Sequence, residues 1–268
     1  METKLVVAII HGMGDIHPDF ADQFIEDVCD QISPDVSPQA IKFVPIHWGY
    51  ITQPIQDQFY QRANAVADLD YKPVRKFILS ALGDAAAYQK KPNQTNSTYQ
   101  QIHSVVKSKL DINVPDNTPL IVVAHSLGCH IMSNYLWDKQ HHPDPAASPF
   151  QNGKTLAGMY TLGCNIPLFS FAESDPQPIA FPGNVLSSTL KQNARWFNYF
   201  DKDDVLGYPI KVINEAYNKV VDEDIEVDIG GLLRSWNPFS HDVYWSDKDI
   251  INPVAKYLST TLKILDND

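Results

Sequence analysis

Cysteine is scarce. Cys29, Cys129 and Cys164 are odd in number and scattered, with neither a CxxC pair nor the Cys/His spacing of a structural zinc site. That usage fits a reducing compartment. Basic residues are also in deficit, 21 Lys and Arg against 32 Asp and Glu, for a net charge of −11 and a pI near 5.1. Such a field repels phosphate backbones and anionic lipid, so nucleic acid is not an expected partner. No apolar run approaches the roughly 20 residues of a membrane span. The start, METKLVVAIIHGMG, holds one lysine and an apolar run only from Leu5 to Ile10, too short for a signal-peptide core. The expectation is a cytoplasmic protein without a membrane span. Phosphate-binding loops are missing too: there is no GxGxxG and no GxxxxGK[ST]. Internal repeats are absent.

A full core is nevertheless within reach. Apolar residues at 44% and charged residues at 20% exclude a disordered chain, and 268 residues bury a core without staples. Short apolar runs at Leu5–Ile10, Ile41–Trp48, Leu120–Ala124, Leu156–Leu162 and Arg195–Phe200 read as strands buried on both faces. Ile225–Ile229 alternates apolar with acidic residues and reads as an edge or hairpin strand. Helical spacing marks Pro18–Ile32, Gly128–Asp138 and Asp249–Leu265. This alternation predicts an α/β fold: a mostly parallel sheet with helices on both faces, in one domain over 1–268. Residues 50–115, polar and rich in Gln and Asn, and residues 165–192, broken by Pro167, Pro176, Pro178 and Pro182, read as cap or lid insertions. No long apolar lid helix is evident in them, which disfavours an enzyme working at a lipid–water interface.

The sharpest chemical signal is Ile121-Val122-Val123-Ala124-His125-Ser126-Leu127-Gly128, an apolar strand running straight into a helix through a serine with small neighbours. A serine on so tight a turn is strained, so the flanking positions must be small. The turn presents the hydroxyl at the sheet edge, and the helix behind it aims its positive dipole end at developing negative charge. The bland alternative is a serine capping a helix. Three further features accompany it in order: His11-Gly12-Met13-Gly14 after the first strand, Asp201-Lys202-Asp203-Asp204 after a later one, and His241, the only histidine beyond that acidic cluster.

This series resembles the α/β-hydrolase family, in particular its lipase- and esterase-like members and a group of poorly characterised bacterial hydrolases. Ala124 stands where the family's G-x-S-x-G elbow has its first glycine, and the family's N-terminal antiparallel strands are missing. The resemblance implies a serine hydrolase acting on a carboxylic ester or thioester through an acyl-enzyme, with Ser126 as nucleophile and His241 as base. Two aliphatic residues commonly follow the family's acid two positions on, which favours Asp203, ahead of Val205 and Leu206. Asp204 is the second choice and Asp201 the third. The oxyanion donors map onto the backbone amides of Met13 and Leu127. No cofactor or metal is implied, and the partner is a small ester or acyl substrate. An acyltransferase on the same triad and a non-catalytic binding protein on the same scaffold remain open. Of the other histidines, His11 is expected to order the oxyanion loop, His17 could line the cleft mouth, His125 and His130 read as structural, and His141 and His142 as an exposed helix end. Cys129 reads as a packing residue. Trp48, Tyr50, Phe59, Tyr60, Phe169, Phe171 and Phe181 either line an acyl pocket or pin the insertions down.

Overall fold

The apolar runs form one parallel sheet. The computed structural model describes residues 2–14, 16–67, 69–90, 95–229 and 243–267. In chain order the elements are β1 (Leu5–Ile10), α1 (Asp22–Gln31), β2 (Ile41–Ile46), α2 (Gln53–Ala67), α3 (Lys72–Ala87), α4 (Thr98–Leu110), β3 (Leu120–His125) and α5 (Leu127–His141). They continue with β4 (Leu156–Leu162), α6 (Ile166–Ser170), α7 (Ser188–Asn193), β5 (Arg195–Asp201), α8 (Glu215–Val220), β6 (Glu223–Val227) and α9 (Lys248–Asn267). The six strands lie in the order β2-β1-β3-β4-β5-β6, and every pairing is parallel.

Strand period explains the two cores. In β1, Leu5, Val7 and Ile9 face one apolar cluster and Val6, Ala8 and Ile10 the other. The first cluster is covered by α1, α7 and α9, through Phe24, Val28, Leu190, Val254 and Leu258; the second by α4 and α5, through Ile102, Val106, Ile131 and Leu136. Every residue of β1, β3 and β4 is buried, as a sheet covered on both faces requires. Pro45, which has no N–H to donate, is tolerated because β2 is an edge strand. The other edge is β6, which starts at Glu223, two residues earlier than its alternation suggests, and runs parallel to β5 instead of forming a hairpin.

The polar stretch 50–115 divides in two. A capping box starts α4: the Ser97 hydroxyl accepts from the Gln100 amide at 3.3 Å, and Gln100 Oε1 accepts from the Ser97 amide at 3.1 Å. Tyr99, Ile102, Val106 and Leu110 of α4 then bury into the sheet cluster, so α4 is the crossover layer between β2 and β3. The α2–α3 pair stands outside that layer: α2 buries no residue and α3 only Ala81 and Asp84. Among the described residues no helix is long and apolar enough to cross a membrane.

Strand order sets one end of the sheet apart. From β1 the chain passes to β2 on one side and returns to β3 on the other. The carboxyl ends of β1 and β3 therefore flank a topological switch point, where open α/β sheets leave a ligand crevice. His11-Gly12-Met13 follows β1 there, and Ser126 follows β3.

Candidate functional site

Ser126 is the hinge between β3 and α5. Its amide donates to the Leu162 carbonyl at 2.9 Å, prolonging the β3–β4 ladder, while its own carbonyl accepts from the Cys129 amide at 3.0 Å and opens the helix. Between these two anchors the backbone takes φ 52°, ψ −125°, a region that costs a non-glycine residue about 1–3 kcal/mol. The side chain is fully buried, and Oγ has no hydrogen-bond partner among the described residues, a state shared with Thr155 Oγ1 and Asn165 Oδ1. Of these, only Ser126 has a positive φ.

Close packing explains the small residues around it. A Cβ on Gly12 would lie 2.5 Å from Ser126 Cβ and 3.0 Å from Oγ. A Cβ on Gly128 would lie 2.6 Å from the His11 carbonyl oxygen. The loop after β1 and the start of α5 thus interlock, with glycine required on each side. Met13, half-buried, follows Gly12 in this loop. Among the described residues, neither the Met13 amide nor the Leu127 amide donates a hydrogen bond.

His11 orders that loop. Its Nε2 accepts from the amides of Trp48 at 3.0 Å and Gly49 at 3.4 Å, so the proton sits on Nδ1, which donates to the Gly12 carbonyl at 2.8 Å. The Trp48 indole N–H returns a bond to the His11 carbonyl at 3.0 Å, and the two rings stack at 5.1 Å. Burial, with His47 nearby, outweighs the Gly12 bond and brings the His11 pKa down to about 3. His11 is therefore a neutral scaffold group.

Further along the loop, Gly14 (φ 106°) donates its amide to Asp84 Oδ2 at 3.2 Å. Asp84 lies on α3, is buried, and accepts from Gln56 Nε2 on α2 at 2.6 Å. Desolvation pushes its carboxyl pKa up, against the pull of bonds from Thr52, Gly14 and Gln56. Sequence reasoning missed Asp84, and with it the tie between the α2–α3 pair and the loop.

The three candidate acids after β5 differ sharply in setting. Asp203 is exposed. Asp201 is buried, but its two oxygens brace backbone: Oδ1 accepts from the Asp203 amide and Oδ2 from the Ile229 amide, both at 2.8 Å. Asp204 is buried; Oδ1 accepts from the Leu206 amide and Oδ2 from the Tyr244 hydroxyl, both at 2.9 Å. The Tyr244 hydroxyl in turn accepts from the Asp201 amide at 3.0 Å. The Tyr244 ring packs 5.6 Å from His125, the residue before Ser126. Tyr244 thus links the acid loop to the elbow; sequence reasoning missed it too, although it sits three residues past His241. His241 itself lies outside the described residues.

The remaining candidates fall away from the crevice chemistry. His125 is buried against Tyr244 and Trp245. His130 stacks on Phe169 at 4.0 Å and pairs with Asn134. His17 is exposed and pairs with Asp19. His141 and His142 are exposed at the end of α5. Cys129 is buried beside Cys164, its thiol pKa pushed up by burial, and its Sγ donates to the Ala124 carbonyl at 3.2 Å. Among the described residues, no group of three His, Cys, Asp or Glu side chains is placed to hold a metal ion. No protein-family model and no curated protein matches the chain.

Proposed function

We propose that the protein is a serine hydrolase that cleaves a carboxylic ester or thioester by two-step acyl transfer at Ser126. The observation that carries this reading is the Ser126 backbone at φ 52°, held at the sheet's switch point with a buried hydroxyl that has no partner among the described residues. A fold gains nothing from that backbone: strain of this kind costs about 1–3 kcal/mol. Such cost concentrates where a nucleophile must be presented. The fold is read as that of an α/β-hydrolase. The β2-β1-β3-β4-β5-β6 order, with the glycine loop after β1 and the elbow after β3, supports that reading.

In the first step His241, assigned as base by its place in the chain, takes the Ser126 proton as Oγ bonds to the carbonyl carbon. The carbonyl electron pair moves onto oxygen, which the Met13 and Leu127 amides and the N-terminus of α5 stabilise. Collapse of that intermediate expels the alcohol or thiol, which leaves with the proton from His241. Water, deprotonated by the same imidazole, then releases the acid and restores Ser126. The carboxylate orienting His241 is assigned to Asp204 instead of the sequence's first choice, Asp203, because Asp204 is buried in the Tyr244 cluster and Asp203 is exposed.

A fluorophosphonate probe tests the reading. Wild-type protein is labelled at Ser126, Ser126→Ala is not, and a chain-length series of nitrophenyl esters is turned over by the first only. Folded wild-type protein that neither labels nor hydrolyses any ester of the series removes the proposal and leaves the binding-protein alternative.

A further inference from the structure

Three aromatic rings from three helices meet around a small cavity. Trp137 of α5, Phe169 of α6 and Tyr217 of α8 wall a space of about 120 Å³, with His130 behind Phe169 and Glu173 on the segment after α6. Each ring is held by a neighbour. Phe169 stacks on His130 at 4.0 Å, Trp137 stacks on His141 at 3.8 Å, and Tyr217 meets Trp196 edge-on at 6.4 Å. Asn214 ties two of the walls together: its Nδ2 donates to the Pro176 carbonyl at 2.7 Å, and its Oδ1 accepts from the Tyr217 amide at 3.1 Å. Walls fixed in advance lose little freedom when a ligand enters.

The lining has one sign of charge. Among the described residues that wall the cavity there is no Lys or Arg, and Glu173 is the one carboxylate. Glu173 is exposed and has no ion-pair partner among the described residues. His130 adds no positive charge, because burial and the nearby His103 bring its pKa down to about 3. Burial first, then Cys164 and Glu173, push the Tyr217 phenol pKa up, so the field of the carboxylate reaches that buried ring. Aromatic faces are negative, and beside a carboxylate they attract a cation and repel an anion. Size narrows the class: whole drug-sized ligands take roughly 300–1,000 Å³, whereas a cavity of about 150 Å³ admits a benzene. A bare ammonium holds its water tightly. A methylated one sheds water readily and lays its methyl groups on the rings. We propose that this cavity binds a quaternary ammonium group, its methyls against Trp137, Phe169 and Tyr217 and its charge facing Glu173. The net charge of −11 draws such a cation toward the chain, and the site holds whether or not Ser126 is a nucleophile.

Isothermal titration calorimetry of the full chain at pH 8 is the test, with choline chloride, with the uncharged alcohol in which carbon replaces the choline nitrogen, and with ammonium chloride. Choline binds saturably at one site per chain, the uncharged alcohol binds about tenfold more weakly or less, and ammonium gives no saturable heat. Glu173→Gln, at an exposed position, keeps its melting temperature and weakens choline about threefold. Glu173→Lys, at the same exposed position, keeps its fold, sets a cation at the site and abolishes choline binding. Trp137→Leu weakens choline by about tenfold. No saturable binding of choline overturns the proposal, as does undiminished binding by Glu173→Lys or Trp137→Leu. An uncharged alcohol that binds as tightly as choline overturns it in favour of a purely apolar cavity.

Discussion

The Gly14 amide hydrogen-bonds to the Asp84 carboxylate across 70 residues of sequence, and through it the loop after β1 is fastened to the α2–α3 hairpin. Gly14 lies one residue beyond Met13, whose amide is a proposed oxyanion donor, so the position of that donor depends on a side chain from the insertion. Asp84→Ala leaves the Gly14 amide and the Gln56 amide group without their acceptor, at a cost of about 2 kcal/mol in unfolding free energy. Asp84→Asn keeps the volume and one acceptor oxygen and falls between wild type and Ala. In ester hydrolysis both variants lower kcat with little change in KM, since a displaced oxyanion donor matters in the transition state and not in ground-state binding. Denaturant titration and steady-state kinetics on the same preparations check both. A loss of stability with kcat unchanged would confine Asp84 to a structural role.

Ser126 separates function from stability. Its hydroxyl is buried with no hydrogen-bond partner among the described residues, so Ser126→Ala breaks none of the described bonds and leaves stability within about 1 kcal/mol of wild type. Turnover of nitrophenyl esters falls by several orders of magnitude. Thermal melts beside initial rates decide the matter: a variant that melts well below wild type would show that the hydroxyl serves the fold.

Much of this was legible from sequence, for a physical reason. β1, β3 and β4 read correctly because strands covered on both faces become unbroken apolar runs, and Ser126 read as an elbow because its neighbours had to be small. The bounds of β6 shifted because Glu223 and Glu226 are exposed at a sheet edge, while Asp224 accepts from Asn198, Ile210 and Lys211, partners that only folding brings together. The difference in burial between Asp203 and Asp204 was illegible: adjacent residues differ in which way they point, and Asp204 finds a partner in Tyr244, forty positions on. Asp84 was hidden because its partners, Gly14, Thr52 and Gln56, meet only after folding. The Ser97–Gln100 capping box, by contrast, was in plain view and could have separated α4 from the insertion.

Asp203 and Asp204 part company under single substitution. Asp203→Asn, at an exposed site, changes stability by less than about 0.5 kcal/mol and leaves turnover near wild type. Asp204→Asn turns an amide NH₂ toward either the Leu206 amide or the Tyr244 hydroxyl, costing about 1–3 kcal/mol. With Asp204 as the triad acid, turnover falls by about 10⁴ as well, because the imidazole loses its orienting charge. Tyr244→Phe cuts the link from the Asp201 amide to Asp204 and lies between the two in stability. Equal turnover in the two Asn variants would return the acid's role to an open question among all three carboxylates, and a larger loss in Asp203→Asn would overturn the assignment.

Three imidazoles, His11 buried and His103 and His130 partly exposed, tie the stability of the fold to pH. Burial lowers His11 and His130 to about 3 and His103 to about 4, against an ordinary 6.5. Each stays neutral in the folded chain while the unfolded chain takes up a proton below pH 6.5. Depressed folded-state values mean that this stability is fully present above pH 6.5 and is lost as pH falls toward 4 and 3. Each imidazole contributes a slope of at most about 1.4 kcal/mol per pH unit. Between pH 6.5 and 5 the loss comes to about 3 kcal/mol once the partial exposure of His103 and His130 is discounted. Asp84, raised by burial, acts in the opposite direction, while Asp138 beside His103 is lowered and titrates below this window. Melting temperature is therefore flat from pH 8 to 7 and drops steeply below 6. His130→Phe keeps the stack on Phe169 and removes one proton site, so its drop is shallower by about a third. Parallel melting curves for the two proteins across that range would show that His130 takes up its proton in the folded state.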